Sequence, residues 1–88
     1  RLVIDVDHVD GRFEAEILPP DIIRWERRTG SKMADLQHRL GMDDLAFQAF
    51  SSLQRQGIAK GGYDGWIDGL RGVEPIAQEA PNPTDGDN

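Results

Sequence analysis

The stretch Asp5-Val6-Asp7-His8-Val9-Asp10-Gly11 gathers carboxylates around an imidazole and matches part of a calcium-binding loop. Such a loop needs an oxygen ligand at its fifth position and glycine at its sixth, where the chain turns sharply. Those positions hold Val9 and Asp10, and the glycine falls one residue late. Apolar and polar residues alternate through the same stretch, which accounts for it as a strand with a solvated acidic face. No metal is expected there.

The other reactive side chains are equally scattered. His8 and His38 fall on different elements, and neither has an acid and a nucleophile beside it that would make it a catalytic base. Ser51 and Ser52 fall on the polar side of a helix rather than at a strained turn. Gly61-Gly62 follow no strand and lack the lysine and hydroxyl residue of a phosphate loop. The chain has no cysteine, which removes disulfides, thiolate chemistry and Cys-based zinc sites. These observations predict a binding protein, not an enzyme, with no metal and no cofactor.

Two residues stand out as candidates for binding. Ile22, Ile23 and Trp25 define the apolar arc of a helix, and helical spacing puts Glu26 inside it. A carboxylate there must be paired, because an unpaired buried charge is costly. Arg39, Arg55 or backbone N–H groups are candidate partners. The pair serves either to fix helix packing or to recognise a partner, and packing is the favoured reading. Phe47 lies off the main stripe of its helix, close to Asp43, Ser51 and Gln54. It is either a partner anchor or packs under a C-terminal helix with Trp66. Trp25, Glu26, Phe47, Phe50 and Trp66 are therefore the candidate partner-binding residues, with the acidic strand face as a further surface.

The elements that must position them can be read from periodicity. Leu2, Ile4 and Val6 alternate with Val3, Asp5 and Asp7; Phe13, Ala15 and Ile17 alternate with Arg12, Glu14 and Glu16. Asp10-Gly11 between the runs signals a two-residue hairpin turn. That turn pairs Val9 with Arg12, His8 with Phe13, Val6 with Ala15 and Ile4 with Ile17. It also sets Asp7 against Glu14 and Asp5 against Glu16, a mildly repulsive face that must stay open to water or to a basic partner.

Pro19-Pro20-Asp21 starts a helix over about 20–29 that stops at Gly30. Helices follow over about 32–40, 42–56 and 63–70. Met42, Leu45, Ala46, Ala49, Phe50 and Leu53 form one broad stripe on the longest of them. The result is one α+β domain over residues 1–74, a hairpin over 2–17 packed on a small bundle of three to four helices. Residues 75–88 read as a flexible, acidic, proline-rich tail.

Sixteen acidic against ten basic residues among 88 give a net charge of −6. That disfavours nucleic acid and favours basic or amphipathic protein partners. No apolar run approaches a membrane span, and the N-terminus is charged too soon to be a signal peptide. A folded part of roughly 70 residues is close to the lower limit for a domain without a metal or disulfide. Such domains gain stability from a partner or a second copy.

Three segments in order resemble a known family. Asp21-Ile22-Ile23-Arg24-Trp25-Glu26 follows a polar hairpin and a proline. Met42-Asp43-Asp44-Leu45-Ala46-Phe47-Gln48-Ala49-Phe50 and Tyr63-Asp64-Gly65-Trp66-Ile67-Asp68 come next, closing with Val73-Glu74 and a Pro-Asn-Pro-Thr tail. From Val3 to Thr84 the order is similar to the tail assembly chaperones of long-tailed bacteriophages of actinobacteria and relatives. The resemblance implies a viral protein of the host bacterial cytoplasm that binds the helical tape measure protein and keeps it soluble while the tail tube assembles. It further implies a longer, frameshift-extended form, the tail tube protein and a homo-oligomer as possible partners. The alternatives are another phage assembly factor, such as a head–tail adaptor or tail terminator, and an acidic regulatory module such as an antitoxin or anti-repressor.

Overall fold

A computed structural model describes residues 2–30, 32 and 41–76. Strands β1 (Leu2–His8), β2 (Gly11–Ile17) and β3 (Leu70–Ile76) alternate in the chain with helices α1 (Pro19–Thr29), α2 (Met42–Arg55) and α3 (Tyr63–Ile67), in the order β1-β2-α1-α2-α3-β3. The strands form one antiparallel sheet in the order β2-β1-β3. The fold is α+β with an N-terminal hairpin, as the alternation predicts.

Helix α2 is the hub. Leu45, Ala46, Ala49, Phe50 and Leu53 pack on Ile4 and Val6 of β1, Ala15 and Ile17 of β2 and Val73 of β3. Helix α1 packs on another side of α2. Met42, predicted to extend the apolar stripe, is 67% exposed; it stands in the first turn, ahead of the residues that reach the sheet. The described residues hold three helices rather than a bundle of three to four, since α3 is a single short turn. The helix predicted over 32–40 lies, apart from Lys32, outside the described residues.

The hairpin register differs from the predicted one by two residues. His8 pairs with Gly11, Asp7 with Arg12, Val6 with Phe13, Ile4 with Ala15 and Leu2 with Ile17. The turn is Val9-Asp10, and Gly11 takes a φ of 140°. A shift of two keeps every side chain on its predicted face, so hydrophobic pattern does not choose between the registers. Charge does: the observed one sets Asp7 opposite Arg12 instead of Glu14.

The larger correction is at the C-terminal end. The helix predicted over 63–70 ends at Ile67, and Leu70–Ile76 forms β3, so Pro75 and Ile76 belong to the sheet rather than to a tail. Residues 77–88 lie outside the described ones. Gly65 and Gly69 weaken helix, and an isolated two-stranded hairpin is marginal and gains from a third strand. β3 supplies that strand along the free side of β1, pairing Val6 with Val73 and Val3 with Ile76.

The turn into β3 is tight. Gly69 N–H donates to the Trp66 carbonyl at 3.1 Å and Val9 N–H to the Gly69 carbonyl at 2.9 Å. A Cβ on Gly69 would stand 2.7 Å from Val9 Cγ2 and 2.8 Å from His8 Cε1. Gly69→Ala is therefore expected to destabilise by about 1–3 kcal/mol. Gly65→Ala, which meets nothing within 4 Å, should stabilise by up to about 1 kcal/mol. Urea unfolding of both variants tests the pair, and equal effects would refute the close packing at Gly69.

Candidate partner-binding surface

Most of the predicted binding residues lie in the core. Trp25 is 2% exposed, and its indole N–H donates to Asp44 Oδ1 at 2.9 Å. Phe50 and Trp66 are buried too. Trp66 stacks on His8 with ring centroids 5.0 Å apart. Asp10 N–H donates to His8 Nδ1 at 3.1 Å, which leaves the imidazole proton on Nε2 to bond the Trp66 carbonyl at 2.8 Å. His8 thus faces the apolar side of the hairpin near its turn, as predicted, with both ring nitrogens engaged. A cleft of about 370 Å³ beside it, between the hairpin turn, Lys60 and the glycines around α3, receives no free nitrogen from this ring.

Phe47 is half-buried and packs edge-on against Tyr63, not against Trp66, with centroids 5.2 Å apart. The Arg28 guanidinium lies 4.8 Å from both rings. Tyr63 O–H donates to Asp43 Oδ1 at 2.7 Å, and Arg28 pairs with the same carboxylate at 3.7 Å. Arg28, Asp43 and Tyr63 thereby clamp α1, α2 and α3 together around Phe47. Burial, then the Asp43 hydrogen bond and charge, push the Tyr63 phenol well above its ordinary value, against the opposing pull of Arg28.

The buried carboxylate is Asp21, not Glu26, which is half-buried. Asp21 has no exposed surface. It sits one helical turn before Trp25, on the same face, and that i, i+4 spacing is the signal that locates it. Asp21 Oδ1 accepts from Ser51 at 2.7 Å, and Oδ2 accepts from Arg55 at 2.8 Å and from Leu18 N–H at 2.9 Å. Ser52 donates to the Glu16 carbonyl at 2.7 Å. Ser51 and Ser52 are thus buried rather than on a polar side, because α2 is covered on two faces. Gln48 is also fully buried, and its amide finds no partner among the described residues.

Helix α2 packs on one face of the sheet, and Val3, at one end of the opposite face, is 3% exposed. On that opposite face, the register puts Glu14, Asp5 and Glu74 side by side across all three strands. Asp7 lies beside Asp5 on that face, between Arg12 and Gly72, and Glu16 and Ile76 flank Val3. One cation, Arg12, reaches Asp5 at 3.7 Å. Like charges directly opposite destabilise a sheet, so the row opposes folding of the isolated chain. Among the described residues no cluster of His, Asp or Glu side chains could hold a metal ion, and no helix is long and apolar enough to cross a membrane.

Comparison with family models, curated proteins and solved structures finds no match to this chain.

Two predictions test the polar contacts. Asp21→Asn puts an amide NH2 where a buried carboxylate oxygen accepts from Ser51 or from Arg55 and Leu18 N–H and should cost about 1.5–3 kcal/mol in urea unfolding; a loss within the noise would remove the pair from the stability of the fold. Tyr63 is the only tyrosine, so tyrosinate absorbance reports it alone. Its folded pKa lies above the unfolded value of 10.0. The unfolded chain therefore releases this proton first, and the contribution is present below pH 10 and lost as pH rises above it. Tyr63→Phe should flatten that alkaline loss, and a phenol that titrates normally in the folded protein would contradict the clamp.

Proposed function

We propose that this chain is a tail assembly chaperone of a long-tailed bacteriophage, holding the helical tape measure protein in soluble form through the acidic part of the sheet face opposite α2. The observation that carries the reading is the carboxylate row Glu14–Asp5–Glu74, aligned across the sheet on the face opposite α2. A row that opposes folding has its natural counterpart in a cationic surface on another chain, which relieves the repulsion on binding. The net charge of −6 keeps such a complex soluble. The resemblance of the Asp21–Glu26, Met42–Phe50 and Tyr63–Asp68 segments supplies the identity of the partner. A segment of tape measure helix with a lysine- or arginine-rich face is the form that fits. The host cytoplasm, a frameshift-extended form and contact with the tail tube protein belong to the same reading.

Co-expression tests it. The wild-type chain should raise the solubility of tape measure segments with a basic helical face and co-purify with them. Glu74→Gln should stabilise the isolated protein by about 0.2–1 kcal/mol while weakening that co-purification. A wild-type chain that does neither ends the chaperone reading. A Glu74→Gln variant that retains the partner fully ends the assignment to this face. Salt-sensitive binding to a DNA-binding protein instead would move the function to the acidic regulatory module.

A further inference from the structure

The two edges of the sheet are not alike. Asp7, Asp5 and Val3 direct their backbone groups to Gly72, Glu74 and Ile76, which leaves those of Arg71, Val73 and Pro75 facing outward on β3. Pro75 has no N–H, and the register breaks between Asp7 and His8 opposite the start of this strand. A proline and a bulge are the usual devices that stop an edge from recruiting another strand.

β2 has neither device. The two-residue turn makes His8 and Gly11 a hydrogen-bonded pair, so the backbone groups of Gly11, Phe13, Ala15 and Ile17 face β1. Those of Arg12, Glu14 and Glu16 face outward. The Glu16 carbonyl shows this direction independently, since it is met by Ser52 Oγ at 2.7 Å and Arg55 Nη2 at 3.3 Å. The N–H and C=O groups of Arg12 and Glu14 have no partner among the described residues. Helix α1 does not follow the edge this far: Asp21 sits by Arg55 at the Glu16 end, whereas Arg28 lies over Phe47 and Tyr63.

We infer that β2 pairs antiparallel with β2 of a second copy about a two-fold axis at Phe13, joining the two sheets into one. Charge and the occupied Glu16 carbonyl together select this register. Arg12 falls opposite Glu14 of the second copy, and Glu14 opposite its Arg12. A shift of two residues one way sets Arg12 against Arg12; the other way sets Glu14 against Glu14 and pairs Arg12 with Glu16, whose carbonyl is already held by Ser52 and Arg55. The favoured register uses both N–H groups and both carbonyls of Arg12 and Glu14. It brings Phe13, half-buried on the helix side, against its own copy, and it gives Glu14 of the carboxylate row a cation. The contact is isologous, as a closed dimer requires, and is strand addition between identical edges. It stands independently of the tape measure reading.

Sedimentation equilibrium on the whole chain should show a concentration-dependent dimer. Arg12→Glu, which makes the contact all acidic, and Glu14→Arg, which makes it all basic, should each weaken self-association on the order of tenfold or more. Mixed, the two variants should form a one-to-one heterodimer at least as tight as the wild-type dimer, which also shows that each is folded. In the dimer the Arg12 and Glu14 amides should gain protection from hydrogen exchange. A wild-type chain that stays monomeric at the highest soluble concentration overturns the inference. So does a dimer indifferent to both reversals, variants that do not pair when mixed, or unprotected amides in the dimer.

Discussion

The carboxylate of Asp21 holds three elements at once. Through Ser51 and Arg55 it ties α1 to α2, and through Leu18 N–H it fixes the bend between β2 and α1. Arg55 and Ser52 carry the same network to the Glu16 carbonyl at the edge of the sheet. Helix α1 buries few apolar residues of its own, chiefly Trp25 and part of Ile22. Without the polar network it would be held by one indole and the Arg28 clamp. The network also explains how α2 tolerates serines on a buried face: each hydroxyl donates to an acceptor that would otherwise be desolvated without a partner.

Against that polar network, the sheet face opposite α2 is poorly matched to itself. Glu14, Asp5 and Glu74 stand abreast, and one arginine reaches the middle of the row. A fold under selection for stability alone would mix signs across neighbouring strands. The contrast between the mostly paired helix side and the repulsive opposite face is what singles out that face in the binding role proposed above. The aromatic residues contribute from behind it, by fixing α3 and the hairpin turn through the stack of His8 on Trp66.

Much of this was legible in the residues. Period-two alternation located β1 and β2, and proline, glycine and charge placement located α1 and α2 to within a residue or so. Register was not legible, because the two turns available around Asp10 leave every side chain on the same face. β3 was hidden for a different reason. The irregularity at Arg71 resets the alternation between Leu70 and Val73, and Gly72 and Pro75 read as breakers. The site was half legible. The need for a buried carboxylate paired with arginine was correct, and Arg55 was among the candidates. The choice of Glu26 over Asp21 followed from centring the apolar arc on Ile22 and Ile23, whereas Ile23 is 47% exposed and the arc centres on Trp25. Trp25, Phe50 and Trp66, expected at a partner-binding surface, are buried, and their size serves the interior.

β1 is the central strand, yet it is made first, and its two neighbours arrive at very different times. β2 follows within a turn, whereas β3, which pairs Ile76 with Val3, is nearly the last described segment to appear. While the chain is being synthesised, one side of β1 waits with its hydrogen-bonding groups unsatisfied until the C-terminal strand emerges. Any polypeptide that stops before Leu70 keeps that vacancy for good and offers it to whatever strand lies nearby.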